Sequence, residues 1–209
     1  MNFDDLVSRY PRLWHATFEG GWDGIQSSGL LSAADLLETV GRGSEASAMR
    51  PEVVHLDAPF GPVVLRNQVL SRKDPEPCLD GITVEEWWQL VNGRSYFFVD
   101  QDDLQKLVDS CLELGIAQEV ITLNTRRLLT DVADQVEVSL VSAGSFPRTT
   151  GPSRGPSTFQ RIEAFDGNPV KIKEVTIPVP VTITDTAVVS VVSRHPKDDP
   201  RRLWPPVAA

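Results

Sequence analysis

The stretch "LWHATFEGGWDGIQSSGLLS", Leu13 to Ser32, constrains the fold more than any other part of the sequence. Leu13 to Thr17 reads as a strand, because Leu13, His15 and Thr17 alternate onto one face. A Gly-Gly turn follows. Trp22 to Ser28 reads as a short helix, and Gly29 sits where a glycine ends one. A histidine inside an apolar strand is more often a satisfied structural group than a catalytic one, so its role depends on what surrounds it.

The rest of the chain continues the strand and helix mixture without repeats. Ser32 caps a second helix running to Val40, with Leu36, Leu37 and Val40 on its buried side. Gly41 to Glu52 is polar and glycine-containing, which predicts a mobile loop. Val53–Leu56 and Val63–Arg66 predict a hairpin across "DAPFGP"; "RKDPEPCLDG" reads as a loop. Thr83 with Glu86 three residues on is a capping-box pattern, opening a helix with Trp87, Leu90 and Val91 on its apolar stripe. Ser95–Val99 is a short aromatic strand. Asp100 caps the clearest helix, whose Leu104, Leu107, Val108, Cys111 and Leu112 fall at helical spacing before Gly115. Glu119–Leu123, Val136–Val141, Val170–Val179 and Ala187–Val192 complete the strands, giving an α+β class. Ser142 to Ser157 is rich in Ser, Gly, Pro and Thr and reads equally as a binding loop or a solvated linker, with Arg148 and Arg154 as candidate phosphate contacts. Residues 1–192 read as one domain, and 193–209 as a poorly ordered tail.

Length and charge narrow the function classes. The 209 residues suffice for one sizeable core. A formal charge of −9 argues against broad electrostatic binding to nucleic acid or anionic membrane. No apolar run reaches the roughly 18 residues of a membrane helix. The opening "MNFDDLVSRYPRL" carries Asp4 and Asp5 and no apolar core of a leader, so a cytoplasmic location is expected. Cys78 and Cys111 lack metal-ligand spacing, and reduced thiols are expected. His15, His55 and His195 lie far apart without HExxH or paired-ligand spacing, so no metal is expected. There is no GxSxG elbow and no P-loop.

Two segments carry candidate chemistry besides His15. In "VKIKEVTIPVPV", Glu174 lies on a strand beside apolar neighbours, on the face of Ile172 and Thr176. A carboxylate there costs free energy unless it is paired or solvated. In "NGRSYFFV", Arg94, Tyr96 and Phe98 share one strand face and Phe97 takes the other.

Together, "LWHAT…WDGIQSSGLLS", "NGRSYFF" and Glu174 resemble the ADP-ribosyltransferase fold, in the branch with a first-strand histidine. That group includes poly-ADP-ribose polymerases, tRNA 2′-phosphotransferases and DNA-targeting ADP-ribosyltransferase toxins. The chain is also similar over most of its length to an uncharacterised bacterial family that pairs this opening with the Asn-Gly-Arg strand and the loop "GPSRGPSTF". The resemblance implies a split mixed or antiparallel sheet with peripheral helices, and NAD as co-substrate. It implies that His15 contacts the nicotinamide ribose. Ala16, Thr17, Ile25, Gly29, Leu30 and Ser32 would wall the dinucleotide site. Tyr96, or Phe97 or Phe98 beside it, would stack on nicotinamide. Arg94 would pair with the pyrophosphate. Glu174 would stabilise the oxocarbenium-like transition state as the preplaced anion. The acidic residue that arginine-specific transferases carry two positions earlier is Ile172 here. The implied activity is a transferase acting on an unknown macromolecular acceptor, of the kind held by an antitoxin. The alternatives are a non-catalytic binding module on the same fold and a tRNA 2′-phosphotransferase-like enzyme.

Overall fold

The computed structural model describes residues 1–68, 76–144, 146 and 151–205. In chain order the elements are α1 (Phe3–Arg9), β1 (Arg12–Phe18), α2 (Gly21–Ser28), α3 (Ala33–Thr39), β2 (Val54–Ala58), β3 (Gly61–Leu65), α4 (Val84–Asn92), β4 (Ser95–Phe98), α5 (Gln101–Glu113), β5 (Gln118–Asn124), α6 (Thr125–Leu129), β6 (Glu137–Ser139), β7 (Gln160–Arg161), β8 (Glu174–Ile177), β9 (Val188–His195) and β10 (Asp198–Trp204). The architecture is α+β. A large antiparallel sheet has the order β10-β9-β5-β1-β4-β8-β6-β7, and β2 and β3 form a separate hairpin.

Local chemistry explains most boundaries. Ser32 and Asp35 form a reciprocal capping box at α3, as do Thr83 and Glu86 at α4. The Asp100 carboxylate accepts from the Asp102 and Asp103 amides at the start of α5. Gly29 ends α2 with φ +77°, and a Cβ there would meet the Val181 carbonyl oxygen at 2.7 Å. Only glycine meets both conditions, so Leu30 and Val181 can exchange backbone hydrogen bonds of 2.8 and 3.0 Å.

The sheet is pinched at its centre. β1 pairs with β5 along its whole length, from Arg12↔Asn124 to Phe18↔Gln118. β4 pairs with β8 from Ser95↔Ile177 to Phe98↔Glu174. Between these halves, β1 and β4 meet only at Trp14↔Phe98. One face carries Leu13, Phe97, Ile121, Val138 and Val175 into the main core, joined by Leu6 of α1 and Trp22 and Ile25 of α2. The opposite face carries Tyr96 into a second cluster with Trp87, Trp88 and Val91 of α4, Phe146 and Phe159. Each large apolar side chain fully buried in these layers contributes about 1.5–3 kcal/mol.

Several expectations need correction. Gly41 to Glu52 is not an open loop: Gly43–Ser47 is a 3-10 turn with Ala46 buried. The buried Asn92 amide holds it by donating to the Ala46 and Ala48 carbonyls. The strand expected over 170–179 shrinks to β8, because Pro169–Lys171 forms a 3-10 turn capped by Asn168. Beyond β8, Pro178 and Pro180 have no N–H to offer a ladder. The strand expected over 136–141 is β6 alone. Much of the expected tail is strand: β9 runs on to His195 and β10, Asp198–Trp204, folds back on it. Its prolines and charges suit an edge strand, where Pro200 and exposed arginines face solvent. An N-terminal helix, α1, went unforeseen despite its Asn2–Asp5 capping box. Arg148 and residues 72–75 lie outside the described residues. No helix among the described residues is long and apolar enough to cross a membrane.

Candidate functional site

His15 sits where β1 and β4 part. Its Nδ1 lies 2.9 Å from the Tyr96 carbonyl oxygen. A carbonyl only accepts, so Nδ1 carries the proton and Nε2 is left as the acceptor of a neutral ring. Burial holds the imidazole below its ordinary pKa, outweighing the hydrogen bond to Tyr96. Its ring contacts Phe97 at 6.0 Å between centroids. Ser95, two residues earlier on the Phe97 face, is buried, and its hydroxyl finds no hydrogen-bond partner among the described residues. Past the single pair Trp14↔Phe98, the His15 side chain therefore replaces the ladder and bridges the two halves of the sheet.

Thr17 continues the His15 face opposite Glu119. The Glu119 carboxylate is buried and accepts from the Gly20 and Trp22 amides at 2.9 and 2.8 Å. Gly20 has no side chain with which to cap α2, so the neighbouring strand supplies the cap. The other residues expected at this wall have their polar groups engaged. Ile25 and Leu30 are core. The Ser32 hydroxyl donates to Asp35 at 2.7 Å as part of the α3 cap. Ala16 points to the opposite face with Val120.

The remaining candidates gather on that opposite face. Glu174 shares a row with Phe98 and Ser139, hence with Trp14 and not with His15. The register therefore puts His15 and Glu174, the two residues expected to act on one ligand, on opposite faces of the sheet, an odd offset along β1 separating them. Glu174 is buried, and its two oxygens accept from the Ser142 hydroxyl and the Ala143 amide, each at 3.0 Å. Burial raises its carboxyl to about 6, against these two hydrogen bonds and the charge of Arg154. Burial and the Glu174 charge push the Tyr96 phenol well above its usual range. The Tyr96 hydroxyl donates to the Val91 carbonyl and its ring meets Phe159 edge-on, so it is a packed residue of the second cluster.

Arg94 also departs from expectation. Its guanidinium donates to Glu137 at 2.7 Å and to the Leu90 carbonyl at 2.7 Å, and its Cζ lies 4.3 Å over the Phe159 ring. It is committed to a buried ion pair and not presented to a phosphate. Arg154 is likewise buried, with its backbone paired to Cys78 and Asp80 and its guanidinium donating to the Pro152 carbonyl. Glu137 and Glu119 are the site-forming acids that sequence reasoning missed. The signal was present at Glu137, a carboxylate between valines in a strand, the same pattern that singled out Glu174. Among the described residues no group of three or more His, Cys, Asp or Glu side chains is arranged to hold a metal ion.

The chain matches a family of unknown function, DUF7002, over residues 11–189. The chain belongs to the DUF7002 family. No curated protein and no solved structure matches it. The DUF7002 region contains the whole pinched centre of the sheet, from β1 through β8, with His15, Arg94, Glu137 and Glu174 inside it. β10, with Trp204, lies beyond the DUF7002 match.

Proposed function

We propose that this chain is a nicotinamide-dinucleotide-binding protein of ADP-ribosyltransferase-like build, holding its ligand beside His15 without using Glu174 to cleave it. One observation carries the reading: His15, fixed by the Tyr96 carbonyl at the parting of β1 and β4, keeps Nε2 as an acceptor for a ribose hydroxyl. Phe97, Thr17 and the buried Ser95 hydroxyl share or border that face. Where two strands part, backbone donors and acceptors leave the ladder and need other partners, a role that a flat amide-bearing ring is suited to fill. The acid required to stabilise an oxocarbenium ion lies across the sheet, which is why binding without turnover is favoured over transfer.

A second reading keeps the transferase. It rests on Glu174, whose burial lifts its carboxyl to about 6, as carboxylates with a catalytic duty often are. A macromolecular acceptor and an antitoxin partner belong to that reading alone. The same experiment separates the two. NAD binding is measured by calorimetry for the wild type and His15→Ala, and nicotinamide release for the wild type and Glu174→Gln. Binding weakened about tenfold by His15→Ala, as for one lost hydrogen bond to a sugar hydroxyl, with no release above blank, supports the first reading. Release that disappears in Glu174→Gln supports transfer. Failure of the wild type to bind NAD at millimolar concentration refutes both.

A further inference from the structure

β10 does more than close the sheet edge. Folding back on β9, it brings Trp204 against Trp22 of α2, with ring centroids 6.3 Å apart and planes tilted by 57°. Between the start of α2 and β10 lies a cleft of about 470 Å³, whose walls include Trp22, Trp204, Glu19, Asp23, Glu119 and Arg201. Trp22 is only 4% exposed and is a fixed wall, whereas Trp204 is partly exposed and offers ring surface to the cleft. Glu119 is already spent on the Gly20 and Trp22 amides. Glu19 and Asp23 are exposed, and neither makes an ion pair among the described residues; the same holds for Arg201.

Three carboxylates against one guanidinium leave the cleft net negative, in a chain whose formal charge is already −9. A phosphate or carboxylate ligand would face these acids, and a purely apolar ligand would desolvate them without return. An organic cation uses both features at once: an indole face attracts it through the ring quadrupole, and the carboxylates attract it by charge. The volume exceeds what a cationic head needs and leaves room for its alkyl stem.

We propose that the cleft between α2 and β10 binds an organic cation, an alkylammonium or guanidinium group. The source is either a free small molecule or a lysine or arginine side chain of a partner. Arg201 is then a built-in competitor, a tethered cation at the rim of the same cleft.

The test is an NMR titration of the full chain, following the indole N–H signals of Trp22 and Trp204 at constant ionic strength. The probes are choline, its neutral isostere 3,3-dimethylbutan-1-ol, N-acetyl-lysine methylamide and N-acetyl-arginine methylamide. Saturable shifts of these two indoles by the cations are expected, with the neutral alcohol binding about fivefold more weakly or worse. Asp23→Asn, an exposed change that leaves the core untouched, weakens binding about threefold, and Arg201→Gln tightens it by a similar factor. Choline as the tightest probe assigns the site to free small molecules; the blocked amino acids as the tightest assign it to a partner's side chain. The proposal fails if no cation gives a saturable shift at about 50 mM, where even weak cation–π sites fill. It also fails if the alcohol binds as well as choline, or if Arg201→Gln weakens binding.

Discussion

Arg94 offers the sharpest test of how the second face is held. Its side chain is 11% exposed and that of Glu137 8%, with Nε and Oε2 2.7 Å apart. Replacing Arg94 by Met keeps an apolar stem of similar reach but removes the charge, the bond to Leu90 and the contact over Phe159. Among the described residues the Glu137 carboxylate then keeps Arg161 as its one cationic neighbour, 3.5 Å away on a side chain that is 38% exposed. Stripping one partner from a buried ion pair costs about 3–5 kcal/mol. Arg161 retains part of the attraction, so Arg94→Met is expected at the lower end, about 3 kcal/mol. In a domain of this size that lowers Tm by about 6–12 °C. The double variant Arg94→Met with Glu137→Met removes both charges of the pair and is expected to recover most of the loss. Urea unfolding at pH 7, followed by circular dichroism, measures all three proteins. A loss below about 1 kcal/mol, the range of an exposed pair, refutes the buried-pair account. So does a double variant no more stable than Arg94→Met alone.

Two further perturbations probe the other acids. Glu119→Gln puts an amide N–H₂ against one of the two backbone N–H groups it serves, costing about 2–3 kcal/mol for a lost charge-assisted bond. Hydrogen exchange at Gly20 and Trp22 should accelerate; unchanged protection there removes Glu119 as the α2 cap. Glu174 rises from 4.5 to about 6 on folding, so the native state holds its proton more tightly than the unfolded chain. Its contribution to stability is therefore greatest below pH 4.5 and falls by about 2 kcal/mol as pH rises through 6. His15 runs the other way: its lowered pKa gives a contribution that is full above 6.5 and lost as pH falls through the folded value. Because His15 is present in both proteins, subtracting the Glu174→Gln stability profile from that of the wild type isolates Glu174. A difference that stays flat between pH 4.5 and 7 would contradict the burial of its charge.

How much of this was written in the sequence depends on the range of the interaction. Capping boxes at Ser32 and Thr83, the Asp100 cap and the glycine stops at Gly29 and Gly115 act over three or four residues, so side chain and backbone donor are neighbours in the chain. The alternation of His15 with its strand neighbours, and of Tyr96 with Phe98, follows from the period of a strand and is what the pairings of β1 and β4 display, whereas Arg94 lies just before β4. The α+β class and the β2–β3 hairpin followed from the same local patterns.

What local pattern leaves open is register and partner. Whether Glu174 joins His15 or faces away is decided by a one-residue offset between β1, β4 and β8, and a single step reverses every side chain. Arg94 looks free until Glu137, 43 residues later, closes on it across the sheet. The charged, proline-bearing tail reads as solvated by composition, yet the edge of β9 supplies it with a ladder and Trp22 supplies Trp204 with a neighbour. The sequence by itself determined which elements form and which residues share a face. The tertiary structure alone decided which faces meet, because that choice is made by backbone pairing and burial between segments that the chain keeps far apart.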